Sequence, residues 1–141
     1  MSDLRKGSAV IPGLRYKDAP AAIDWLVRVL GFTAQAVYDG PDGTVAHAQL
    51  VHGTTGMVML GSAGNASPHP ELQAVPEEIG GRSTTSLYLV VEDCDPVWER
   101  VKAEGAKVLM ELKTMDYGGR GFGVVDPEGY MWSVGEYDPW K

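Results

Sequence analysis

Two kinds of hydrophobic period alternate along this chain of 141 residues. In "PAAIDWLVRVLGF" the apolar residues Ile23, Leu26, Val27 and Leu30 recur at i, i+3, i+4 and i+7, the spacing of an amphipathic helix. Asp18 stands where an N-terminal cap is expected, Pro20 suits the first turn and Gly31 the stop. In "PVWERVKAEGA" Val97, Trp98 and Val101 share a helical face, and Gly105 ends the run. Short β-like runs take over after each helix. They are "TAQAVY", "TVAHAQLV" and "GMVMLG" in the first half, and "AKVLMEL", "GFGVVD" and "YMWSVGEY" in the second. "DGPDG", "HGTTG" and "DPEG" supply turns between them, and a further β-rich run precedes each helix, in "VIPGLRYKDAP" and "SLYLVVEDCDP".

The order strand, helix, strand, strand, strand therefore occurs twice. Asp18 and Asp93, the residues that open the helices, stand 75 positions apart, and the same offset brings Ile23 onto Trp98 and Leu26 onto Val101. Between the halves, "GSAGNASPHPELQAVPEEIGGRS" is rich in Gly, Pro, Ser and acidic residues without an apolar period, so it reads as a long connection. The expected organisation is a first βαβββ module over 1–61, a linker over 62–83 and a second module over 84–141, together one α+β domain. One helix covers only one face of its sheet, so the other face needs a partner, and the twin module is the obvious one.

Composition narrows the function. With 44% hydrophobic residues the chain can build a real core. A formal charge of −7 argues against a partner bound through phosphates, which needs clustered Lys and Arg, and suits solubility instead. No stretch approaches the roughly 20 apolar residues of a membrane span, and "MSDLRKGSAV" lacks the apolar run of a classical export signal. The expectation is a cytoplasmic protein that binds neither membrane nor nucleic acid. The single cysteine, Cys94, fits a reducing compartment and is not accompanied by a thiol-enzyme motif.

Three segments carry a resemblance: "YKDAPAAIDWLVRVLGF", "VVEDCDPVWERVKAEGAKV" and above all "GFGVVDPEGYMWSVGEY". Together, and in this order from about Val10 to Tyr137, they resemble the vicinal oxygen chelate superfamily, which includes glyoxalase I, the bleomycin-resistance proteins and the extradiol dioxygenases. The resemblance implies two βαβββ modules whose mixed sheets curl around a cleft, often in a homodimer. In metal-dependent members four side chains hold a divalent cation that polarises substrate oxygens. Carried over by spacing, those positions are Ile11, Met59, Ser86 and Ser133 in this chain. Ile and Met offer no hard donor and neutral Ser hydroxyls are poor ligands, so the expectation is a protein without metal or other cofactor. Glu136 lies three residues beyond Ser133, which puts it on the opposite strand face.

If those positions face the cleft, alternation adds neighbours to them. Arg15 with Gly13, Met57 with Gly61, Tyr88 with Thr84, and Met131 with Gly135 join the cleft side, while Leu14, Tyr16, Val58, Leu60, Leu87, Leu89, Val91, Trp132 and Val134 pack under the helices. The second set is the more uniformly apolar, as a core should be. A cleft of Met, Gly, Ser and Tyr with one cation has the make-up of a small-molecule site. "MDYGGRGFG" is a glycine-rich run without the strand-to-helix context of a phosphate loop; its Tyr117, Arg120 and Phe122 resemble a segment of glyoxalase-like proteins, and the resemblance implies that they run beside that cleft. His47 is the candidate acid or base, because histidine titrates near neutrality unaided. His52 and His69 are expected in solvated turn and linker segments. The leading expectation is a metal-free small-molecule-binding protein that sequesters an aromatic or heterocyclic compound. The alternative is a lyase, isomerase or epimerase using a metal or His47.

Overall fold

The computed structural model describes residues 7–141. They form two compact units, one ending at Val75 and one beginning at Pro76. The division falls inside the segment expected to be a linker. That segment has local structure of its own, with 3-10 turns at Gly64–Ala66 and Pro76–Ile79.

In the first unit, β1 (Gly13–Tyr16) leads to α1 (Ala19–Trp25), then β2 (Thr33–Asp39), β3 (Val45–His52) and β4 (Gly56–Ser62). The sheet order is β1-β4-β3-β2, with β1 parallel to β4 and the other pairs antiparallel. Asp18 caps α1 by accepting from the Ala21 N–H at 3.1 Å, and Pro20 occupies the first turn, where a missing N–H costs nothing. The helix continues as a π-type segment, Leu26–Leu30, and stops at Gly31, whose φ of +86° closes the end left-handed. Its buried face is Ala22, Trp25, Leu26, Val29 and Leu30, whereas Val27 is exposed and Ile23 only half-buried. The stripe expected from Ile23 and Val27 is thus corrected by one position. Both stripes are apolar, and the one carrying Trp25 buries more surface.

The strand β4 runs to Ser62, one residue past the expected module end, because the Ser62 hydroxyl is buried and accepts from the Val45 N–H at 2.9 Å. His52 is also corrected: it is a half-buried strand residue, 3.0 Å from the Leu30 carbonyl oxygen and edge-on to the Phe32 ring, not a solvated turn residue.

In the second unit, β5 (Ser86–Val90), α2 (Cys94–Glu104), β6 (Lys107–Thr114), β7 (Arg120–Val125) and β8 (Met131–Gly135) repeat the plan, with sheet order β5-β8-β7-β6 and β5 parallel to β8. Asp93 caps α2 through the Asp95 N–H at 2.9 Å, and Gly105, at φ +70°, ends it. Cys94, Val97 and Val101 are buried, and Trp98 packs on Phe122 with ring centroids 5.1 Å apart. The "DPEG" turn is held by Asp126. Its Oδ1 accepts from the N–H groups of Glu128 and Tyr130 at 3.0 and 3.1 Å, and its Oδ2 from the Trp132 indole at 3.1 Å.

Alternation divides both sheets as the pattern requires. Leu14, Tyr16, Val58, Leu60, Leu87, Leu89, Val91, Trp132 and Val134 are all buried. Their neighbours Gly13, Ser86, Tyr88, Met131 and Ser133 are exposed, and Arg15, Met57 and Met59 half-buried. Among the described residues no helix is long and apolar enough to cross a membrane.

Candidate functional site

The open face of the second sheet presents Ser86 and Tyr88 from β5 beside Met131 and Ser133 from β8, with Ser86 opposite Met131 and Tyr88 opposite Ser133. Beyond Tyr88 the strands carry Gly135 paired with Gly121, and Gly123 lies opposite Ser133. Gly135 leaves room above the sheet. The Tyr88 ring occupies it: a Cβ built at Gly135 would overlap the Tyr88 hydroxyl and lie 3.0 Å from its Cε1 and Cζ. Tyr88 donates its O–H to the Tyr137 carbonyl at 2.7 Å, which ties the first strand of the unit to the segment after the last.

Tyr117 reaches the same place from the β6–β7 hairpin. The Met115 N–H donates to the Gly119 carbonyl at 2.8 Å, and Gly118 and Gly119 take φ of +109° and +71°, conformations that favour glycine. Gly119 also packs so closely on the Tyr137 backbone that a Cβ there would lie 3.1 Å from its nitrogen. The hairpin tip therefore lies against the chain after β8, and the Tyr117 and Tyr137 rings meet edge to face at 5.2 Å and 79°. Tyr88, Tyr117, Tyr137 and Pro139 line an open recess of about 470 Å3. Partial burial raises the Tyr88 phenol above its ordinary pKa, with the neighbouring Tyr117 adding to it. Tyr137 and Pro139 are members that strand reasoning missed. Their only signal is the aromatic and proline content of "GEYDPW", which has no strand period.

Arg120, expected beside the cleft, is engaged elsewhere. Its guanidinium bonds Asp95 at 2.9 Å, Asp93 at 3.1 Å and Glu136 at 2.9 Å, at the N-terminus of α2. Glu136 in turn accepts from the Cys94 N–H at 2.9 Å and the Arg120 N–H at 3.1 Å. The Arg120 guanidinium, and then the Cys94 N–H, hold the Glu136 carboxyl down at about 2. Glu136 first, and then Asp95, raise the Arg120 pKa in return through their hydrogen bonds to it. Glu136 thus joins the end of β8 to the start of α2. The Cys94 thiol below it is pushed up to about 11 by burial and then by the Glu136 charge, so it is a protonated core group.

In the first unit Arg15, Met57, Met59 and His47 share the open face, where Gln49 pairs with Met59 and Val51 with Met57. Arg15 lies over Gly61, where a Cβ would overlap its Nη1, and donates to the Ser62 carbonyl at 3.3 Å. His47 stacks on Tyr38 with centroids 6.1 Å apart, and its Nε2 is 3.0 Å from Gln49 Oε1. Gln49 Nε2 donates to Gln35 at 2.8 Å. In that orientation the Gln49 oxygen faces His47 Nε2, and the three side chains form one hydrogen-bonded row.

A divalent metal does not fit the positions that spacing assigns to it. Met59 is a half-buried thioether on β4, and Ser86 and Ser133 are exposed neutral hydroxyls on β5 and β8. Among the described residues no three His, Cys, Asp or Glu side chains are grouped to hold a metal ion, and the carboxylates that do cluster have the Arg120 guanidinium among them.

The family model for the Glyoxalase/Bleomycin resistance protein/Dioxygenase superfamily matches residues 9–134. An uncharacterized protein of Mycobacterium tuberculosis is 33% identical over 138 residues, which cover 91% of this chain and 74% of that protein. The crystal structure of TioX from Micromonospora sp. ML1 is 32% identical and superimposes with a TM-score of 0.73 over 94% of this chain and 100% of that one. A glyoxalase I mutant from Zea mays, at 20% identity, shares the fold with a TM-score of 0.67 over 89% of this chain and 43% of that one.

Proposed function

Since the chain belongs to the Glyoxalase/Bleomycin resistance protein/Dioxygenase superfamily, we propose that it is a metal-independent small-molecule-binding protein of that fold, which sequesters an aromatic or heterocyclic compound. The observation that carries the proposal is the recess of Tyr88, Tyr117, Tyr137 and Pro139. Its volume of about 470 Å3 suits a drug-sized ligand. Tyrosine offers broad apolar area with few rotatable bonds, so stacking costs little entropy. Ser86, Ser133 and Met131 continue the surface from the recess across the sheet, and Arg120 holds Glu136, the residue before Tyr137. We take the working form to be a homodimer.

Titrating a chemically broad panel of aromatic and heterocyclic compounds, read by intrinsic fluorescence and native mass spectrometry, tests this. At least one compound is expected to bind with micromolar affinity, to a dimer free of stoichiometric metal, and to lose affinity in Tyr117→Ala. Silence across the whole panel, or a tightly held metal, would sink the reading.

The hydrogen-bonded row of His47, Gln49 and Gln35, which fixes the imidazole on the open face, favours a second reading, acid–base catalysis on a carbon acid by His47. Deuterium exchange into a bound carbonyl compound, followed by NMR, is then expected to vanish in His47→Gln while affinity stays. Equal exchange in both proteins removes His47 from any mechanism.

A further inference from the structure

We propose that the tyrosine recess takes an organic cation: a protonated or quaternary amine carried on a flat apolar body. The proposal rests on the small-molecule reading above and names its ligand class. Three phenol rings and a proline ring line the recess, and aromatic faces attract cations through their quadrupoles. The polar group nearest the floor is already used, since the Tyr88 O–H is donated to the Tyr137 carbonyl. An incoming anion therefore finds no free donor on that phenol.

The surrounding charge points the same way. Asp116 precedes Tyr117 and Asp138 follows Tyr137, so both ring-bearing segments carry an acidic residue adjacent in sequence. Asp138 is close enough to act on Tyr88 itself. Arg120, which follows the hairpin tip in sequence, is outnumbered by the carboxylates of Asp93, Asp95 and Glu136 that bind it at the start of α2. The whole chain adds a formal charge of −7. A negative field over aromatic walls disfavours anions and leaves a neutral ligand with only its buried area. A cation gains from both features.

The test is a matched pair of probes, N-methylquinolinium and the neutral, near-isosteric 1-methylnaphthalene, titrated into the full chain at low salt. The cation is expected to bind about tenfold more tightly, with the margin shrinking at high salt. Tyr117→Ala and Tyr137→Ala are each expected to weaken the cation about fivefold, and Tyr117→Phe to keep most of its affinity, because the ring face is retained. Tyr117 is largely exposed, so its variants leave the core intact. Equal affinities, tighter binding of the naphthalene, or cation binding indifferent to both tyrosines would overturn the proposal. Naphthalene binding that depends on Tyr117 with no preference for charge would overturn the cation assignment alone. Failure of both probes overturns the assignment too, and the compound panel then decides separately whether the protein binds small molecules at all.

Discussion

Asp126 does more for the second unit than its place in a turn suggests. Only 4% exposed, it accepts three hydrogen bonds from donors within the unit, including the indole of buried Trp132. Removing it strands those donors, so Asp126→Ala is expected to cost about 3 kcal/mol in chemical denaturation, and Asp126→Asn, which keeps an acceptor, clearly less. A loss below about 1 kcal/mol in the alanine variant would mean that water replaces the carboxylate. Cys94 gives a second residue-scale expectation. With its thiol buried and pushed up to about 11, labelling by a thiol reagent at pH 8 is expected to be slow in the native protein and immediate in denaturant. Fast native labelling would show that the α2 start opens readily. Neither role is legible in sequence. "DPEG" reads as a turn, and the reach of Asp126 to Trp132 depends on how the strand leaves it.

Joining one element to another is the task of Glu136, which binds α2 through the Cys94 N–H and β7 through Arg120. Because its carboxyl is lowered from 4.5 to about 2 in the folded state, its stabilisation is complete above about pH 4.5. It is lost as pH falls through about 2. In Glu136→Gln the fall of the urea midpoint between pH 4.5 and 2 is therefore expected to be shallower than in the parent protein. Parallel profiles would remove the carboxylate as the titrating link. Arg120→Lys, which loses the planar fork, is expected to loosen the Tyr137 segment and weaken recess ligands severalfold without touching them. Period two predicted which strand residues are buried, since alternation is dictated by the pleat. It could not predict the clamp, whose members come from 93–95, 120 and 136, nor the recess, whose Tyr117 and Tyr137 lie outside strands. The α1 stripe was ambiguous because two apolar faces compete on that helix.

Across the whole molecule the repeat is exact in topology and unequal in chemistry. Both sheets place the first strand parallel to the last, yet the position equivalent to Tyr88, 75 residues earlier, is Gly13. One unit therefore carries the aromatic recess and the other the His47 and methionine face. The resemblance to a family made the fold readable, whereas the ligand chemistry rests on side chains that the family pattern leaves free. Just before the first unit ends at Val75, Leu72 is highly exposed, at 77%, so the first internal chymotryptic cut is expected after Leu72. A first cut within either sheet would contradict this division. The parallel pairing of first and last strands also orders events at the ribosome. The first sheet has all its strands once Ser62 is made, before any residue of the second sheet exists, while β5 must wait for β8 to be synthesised. Translation arrested between the two leaves a nascent chain with one finished sheet and one unpaired edge, the form that a chaperone would meet.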